Sequence, residues 1–170
     1  MSNTTKSLGG YSLVSFKEAG GEETVRFEAY IALNGKKVMH VSNGGTGGCH
    51  RYGPVGPFKT DAAATKGYAD FRQAEVALEA FAAEWNKGTE FAGSEDADQF
   101  VDHLVEVAVL NKMRKVLFLV DDQDYFATGV ASSFGAGVTY HQTVAELSKP
   151  KYAASKPRVW NKEQSAFVAV

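Results

Sequence analysis

The chain has 170 residues, 44% of them hydrophobic and 22% charged, and a formal net charge of -2. That composition suits one globular domain with a sizeable core and excludes a disordered chain, while the near-balanced charge excludes a global attraction to nucleic acid or an anionic membrane and leaves only local contacts. The single cysteine, Cys49, excludes an internal disulfide and a Cys-rich zinc site and fits a reducing compartment.

The first residues, Met1 to Lys6, carry no apolar leader, and no later run approaches the roughly 18 apolar residues of a membrane span. A soluble cytoplasmic protein is expected. Tyr11 to Phe16 reads as a strand, and Gly20-Gly21 with Glu22 and Glu23 as a polar turn. In the next strand Val25, Phe27, Ala29, Ile31 and Leu33 alternate with Arg26, Glu28, Tyr30 and Ala32, which turns the first set toward a core. Asn34-Gly35 matches a type I′ hairpin turn, because both residues tolerate positive φ. Lys36 to Ser42 then runs back as a strand whose few apolar residues, Val38 and Val41, predict greater exposure. Pro54 and Pro57 keep the following segment irregular.

Thr60 or Asp61 is placed to cap a long helix with an apolar stripe of Tyr68, Phe71, Ala74, Leu78, Phe81 and Trp85. Gly67 weakens its first turns by up to ~1 kcal/mol relative to alanine. Asn86 to Gly88 ends it, a polar linker covers 89–94, and a second helix begins near Glu95 or Asp96 with Phe100, Leu104, Val107, Ala108 and Leu110 to Met113 on its apolar side. The two helices pack as an αα-hairpin or cross the same sheet.

Lys115 to Val120, the turn Asp121 to Asp124 and the run Tyr125 to Val130 read as a second hairpin. Ser132 to Gly137 is small and flexible, Val144 to Leu147 forms a short helix that Pro150 stops, and Arg158-Val159-Trp160 adds a last edge strand. Residues 1–7 and about 149–170 are expected as flexible ends. Without repeats or a convincing linker, the expected fold is a single α+β domain over residues 1–170, with a mainly antiparallel sheet and two principal helices.

The densest chemical signal is Asn43-Gly44-Gly45-Thr46-Gly47-Gly48-Cys49-His50-Arg51-Tyr52. Its glycines permit positive φ or a close approach to a ligand, and a backbone anion nest assisted by His50 and Arg51 is one reading. A mobile hairpin loop is the other. Neither a Walker A loop nor a dinucleotide fingerprint is present, since no Gly-Lys-Ser/Thr follows and prolines stand where a helix would start. Cys49 and His50 are adjacent on an extended chain and point to opposite faces, so they make poor catalytic partners.

Asp121, Asp122 and Asp124 lack the EF-hand spacing, His103 has Gln99 and Glu106 within a helical turn, and the four histidines show no His-x-x-x-His pattern. No catalytic residue, metal ligand or cofactor is assigned. Charge is segregated along the chain. The stretch from Glu84 to Glu106 is acidic but for Lys87, whereas Lys149, Lys151, Lys156, Arg158 and Lys162 make the C-terminal segment basic, with Tyr152 and Trp160 between them. The acidic face suits a basic partner or mimics phosphate, and the basic segment suits a phosphate backbone or a solvated tail.

Phe27 to Ile31, Asn34 to Val38 and Val41 to Tyr52, with their Gly-Lys-Lys turn and Asn-x-Gly-x-Gly-Gly loop, resemble a pattern in short uncharacterised proteins of bacteriophages and related mobile elements. The resemblance covers about the first third of the chain, with Lys115 to Leu119 as a later echo. It implies an accessory protein acting in a bacterial host, through counter-defence or host takeover, and brings no catalytic residues. The leading expectation is binding to a host protein or nucleoprotein through Asn43, Gly44, Gly45, Thr46, Gly47, Gly48, His50, Arg51 and Tyr52. Two alternatives stand beside it: a binder or processor of a nucleotide or other anionic small molecule through Gly44 to Gly48, and a virion or assembly component. A concave pocket at the loop favours the small ligand, and a projecting loop favours the macromolecule.

Overall fold

The computed structural model describes residues 7–89 and 92–170. The flexible end expected at 1–7 therefore falls outside them except for Ser7, as do Glu90 and Phe91 of the expected linker. The fold is α+β: two antiparallel sheets, of four and three strands, with two principal helices. The chain forms two compact units, Ser7–Ala108 and Val109–Val170, and the division falls inside a helix rather than in a linker.

In the first unit, β1 (Tyr11–Ala19), β2 (Arg26–Leu33), β3 (Lys36–Asn43) and β4 (Arg51–Gly53) lie side by side in sequence order, each antiparallel to the next. Asn34 and Gly35 have φ of 50° and 80°, as the tight turn between β2 and β3 requires. Phe27, Ala29 and Ile31 are buried as the alternation predicts, whereas Val25 lies before the strand and is exposed. Ser15, with φ 55°, sits in a bulge of β1 that resets its register, and Phe16 packs on Phe27 with ring centroids 5.9 Å apart.

β3 departs from the expected exposure. Met39, Val41 and Asn43 are buried because β3 is an interior strand between β2 and β4 and packs against the first helix. A register irregularity opposite Ile31 and Ala32 places Met39, which the alternation had not picked out, on the core side.

Helix α1 (Asp61–Asn86) starts at Thr60, whose hydroxyl accepts from the Ala63 amide. Phe71 and Leu78 of its stripe are buried, while Tyr68 is largely exposed. Gly67 has a packing reason: a β-carbon there would come within 2.2 Å of the Phe58 ring. Helix α2 (Asp96–Lys112) brings Phe100, Val101, Leu104 and Val105 to the same core. The Phe100 ring meets Phe81, Trp85 and Tyr11 at centroid distances of 5.1, 5.2 and 5.7 Å.

The second unit holds β5 (Phe118–Leu119), α3 (Tyr125–Thr128), α4 (Tyr140–Leu147), a 3-10 helix (Pro150–Ser155), β6 (Arg158–Asn161) and β7 (Ala166–Ala169). The expected hairpin across Asp121 to Asp124 does not form. Asp124 instead caps α3 by accepting from the Phe126 amide, and Gly129 closes that helix in the left-handed region. The partner of β5 is β6, which occupies the centre of the sheet order β5-β6-β7 and is neither the last strand nor an edge.

Residues 149–170 are thus built into the unit, with Val159 and Trp160 buried, because the apolar residues there have a sheet and α4 to pack on. The indole of Trp160 donates to Asn111 Oδ1 at 3.0 Å. Thr139 makes a capping box with Gln142 that starts α4 ahead of the expected Val144, and Pro150 opens the 3-10 helix. Among the described residues no helix is long and apolar enough to cross a membrane.

Asn86 closes the helix pair of the first unit. It is buried, and its Nδ2 donates to the Asp96 carbonyl at 3.1 Å and to Asp96 Oδ1 at 2.9 Å. Asn86→Ala removes both bonds from a site that water does not reach, and urea unfolding should show a loss of about 1–3 kcal/mol.

Candidate functional site

The loop joining β3 to β4 is organised from beneath by Asn43. A primary amide has two N–H donors and an acceptor oxygen, and burial requires that they be used. Asn43 Nδ2 donates to the Gly48 carbonyl and to His50 Nδ1, each at 3.0 Å. Its Oδ1 accepts from the Gly45 amide at 2.8 Å and from the Thr24 hydroxyl at 3.3 Å. Gly45, itself buried, has φ 79° and offers its carbonyl to the amides of Glu22, Glu23 and Thr24, at 2.9, 3.0 and 3.4 Å. The β1–β2 turn and the glycine loop are one clasped structure.

Beyond the loop, strand parity sorts the polar residues. Tyr52 pairs with the buried Val41 and faces inward, whereas Arg51 pairs with Ser42 and faces outward. The His50 ring is nearly buried edge-on to Phe27, with centroids 5.2 Å apart. Because its Nδ1 faces an Asn43 N–H, the proton of the neutral ring is on Nε2, which donates to Asp102 Oδ1 at 3.0 Å. One turn earlier on α2, Asp98 accepts from the His50 backbone amide at 2.9 Å and from the Tyr52 hydroxyl at 2.6 Å. Burial, and then this bond to Asp98, pushes the Tyr52 phenol well above its ordinary value.

The exposed Cys49 thiol lies 3.7 Å from Glu95 Oε1, and the charges of Glu95 and Asp98 raise its pKa. A nucleophilic cysteine needs the opposite environment. The Glu23 carboxylate also borders Gly47, so acidic groups stand at the loop tip and at Cys49.

On the outer face of the sheet, Arg51 lines an open groove of about 610 Å³ with Lys17, Glu18, Arg26, Glu28, His40, Ser42 and Gly44. Glu28 Oε1 and His40 Nε2 are 3.1 Å apart. Among the described residues, no salt bridge engages Lys17, Arg26 or Arg51.

The sequence-predicted residues are therefore divided. Asn43, Gly45, His50 and Tyr52 belong to the internal clasp, Thr46, Gly47 and Gly48 form its exposed tip, and Arg51 and Gly44 face the groove. Sequence reasoning missed Asp98 and Asp102 as partners of His50, although their spacing of one helical turn puts both on one face of α2. It also missed Lys17 and Arg26 as companions of Arg51, because only the register across three strand pairs unites them. His103 contacts Trp85, with ring centroids 5.0 Å apart, and among the described residues no group of three or more His, Cys, Asp or Glu is arranged to hold a metal. Comparison with family models, curated proteins and solved structures finds no match.

The clasp makes unequal demands on its glycines. A β-carbon on Gly45 would lie 2.8 Å from the Gly21 Cα and 3.0 Å from the Arg26 Cβ, at a φ that L-residues resist, whereas one on Gly48 would meet open space. Gly45→Ala should lower the unfolding free energy by roughly 2–4 kcal/mol, while Gly48→Ala stays within about 0.5 kcal/mol of the parent in the same denaturation assay.

The raised phenol gives a second expectation. Folded Tyr52 holds its proton above pH 10, where an unfolded tyrosine releases it, so stability is intact below that pH and declines above it. The decline attributable to Tyr52 is at most about 1.4 kcal/mol per pH unit, and Tyr52→Phe should remove it from stability curves measured between pH 9 and 11, ~1 unit either side of the ordinary tyrosine pKa.

Proposed function

We propose that this chain works by binding a macromolecule, with the outer face of the four-stranded sheet around Lys17, Arg26 and Arg51 as the contact surface. The supporting observation is that these three cations share one open groove, which Glu18 and Glu28 also line, and that among the described residues no salt bridge engages them. Paired strands fix the backbone positions from which these exposed cations extend, so the positive charge is concentrated on one face, which favours steering and recognition. The reading is of an accessory protein that acts on a host protein or nucleoprotein in the bacterial cytoplasm, and the resemblance of the first third to phage and mobile-element proteins is what suggests it.

Small-anion binding through the Gly44 to Gly48 amides draws less support. The Gly45 amide is already bonded to Asn43, His50 is held between Asn43 and Asp102, and Glu23 and Glu95 lie against the loop. Arg51 retains its role, transferred from the loop to the sheet face.

Capture from bacterial lysate at graded salt tests the reading. The wild-type chain should retain a partner at low salt and release it progressively as salt rises, and Lys17→Glu with Arg51→Glu should abolish retention at every salt concentration without changing the melting temperature by more than about 4 °C. Equal retention by the double variant would overturn the proposed surface, and retention of nothing by the parent would overturn the binding reading.

A further inference from the structure

We infer that the partner reached by this sheet face is single-stranded nucleic acid, an inference that rests on the binding reading above and specifies its chemistry. Register sets the charges. Lys17 pairs with Glu28, Glu28 with Ser42, and Ser42 with Arg51, so one row crosses all four strands and carries a cation at each end. With neighbouring strands about 4.8 Å apart, those ends are separated by roughly 14 Å along the row, while Arg26 stands two residues along β2 from Glu28, about 7 Å away. The cations are spread along a path rather than converging on one point. That arrangement suits successive phosphates of a chain better than one compact anion.

Aromatic side chains supply the second half of the argument. Tyr30 and His40 are cross-strand partners adjoining that row, with ring centroids 5.4 Å apart and planes at 75°. Lys37 lays its ammonium over the Tyr30 ring, 4.0 Å from the centroid, so a further cation caps one face of that ring. Bases stack on such rings irrespective of sequence while cations track the backbone. An acidic peptide would use Lys17, Arg26 and Arg51 and leave the rings idle. The open groove leaves a chain room to pass through, and Gly44 in its lining has no side chain to obstruct a backbone. Two carboxylates border this path: Glu28 stands in the row, with His40 Nε2 3.1 Å from its Oε1, and Glu18 lines the groove next to Lys17.

The test is fluorescence polarisation with a labelled single-stranded oligonucleotide, alongside a duplex of the same sequence and labelled poly-glutamate. The single strand should bind most tightly, with an affinity that falls roughly 15- to 20-fold from 50 to 200 mM salt, as expected when about three phosphates are neutralised at ~0.7 counterions each. Arg51→Ala should weaken binding and flatten the log–log salt slope by about 0.7. Tyr30→Ala should weaken it with no change of slope, Tyr30→Phe should restore it, and thermal melts of each variant confirm folding.

No polarisation change with the single strand at low salt, or poly-glutamate binding as tightly, would overturn the inference. If lysate capture is still lost in the double charge reversal, the surface reading survives that failure and the partner is an acidic protein. If neither oligonucleotide nor lysate partner is retained, both readings fall.

Discussion

A buried primary amide must find partners for its N–H groups and its oxygen, and at Asn43 this requirement governs everything around it. Because the side chain points inward from the last position of β3, the loop has to bend back to reach it. The amide takes in Gly48 and His50 on its donor side, and Gly45 and Thr24 on its acceptor side. Closing the loop in this way buries the Gly45 carbonyl against the β1–β2 turn and presents the imidazole to α2. One hydrogen-bonding obligation thereby ties two turns of a sheet to a helix.

From that arrangement the division between inward-facing and outward-facing polar residues follows. His50 and Tyr52 are drawn inward by Asp98 and Asp102, and the intervening Arg51 is forced outward by strand parity. Asp98 and Asp102 of α2 hold the hairpin through His50 and Tyr52, and no salt bridge among the described residues sets either against Arg51. The acidic stretch that looked like an interaction surface in the sequence thus owes part of its charge to internal satisfaction. Of the C-terminal lysines, Lys149 and Lys151 pair with Glu146, whereas no salt bridge among the described residues engages Lys17, Arg26 or Arg51 on the sheet face.

How much of this was legible in the residue order depended on the range of the forces involved. The strands β1 to β3, the Asn34-Gly35 turn and both long helices could be read, because period-two and period-3.6 patterns and caps such as Thr60 are local. The burial of β3 could not, since it depends on β4 completing the sheet and α1 covering it. Tyr125 to Thr128 misled for a different reason. Its β-prone aromatics outweigh a four-residue helix until Asp124 and Gly129 are seen to cap it. At the site, the glycine loop and Arg51 were visible from composition, but Lys17 and Arg26 join Arg51 only through strand register, and Asp98 meets His50 only through tertiary packing.

The clasp at Asn43 and Gly45 also divides the loop by tolerance to change in length. Thr46, Gly47, Gly48 and Cys49 are exposed, while both ends of the excursion are held by side-chain and backbone bonds that do not depend on the path between them, save for the Gly48 carbonyl. Loop-closure entropy rises only slowly with added residues, by about 0.6 kcal/mol for each doubling. The stretch between Thr46 and Gly47 is therefore a natural point of insertion, where a peptide tag or a lineage-specific extension can be carried outside the groove while the fold keeps its register.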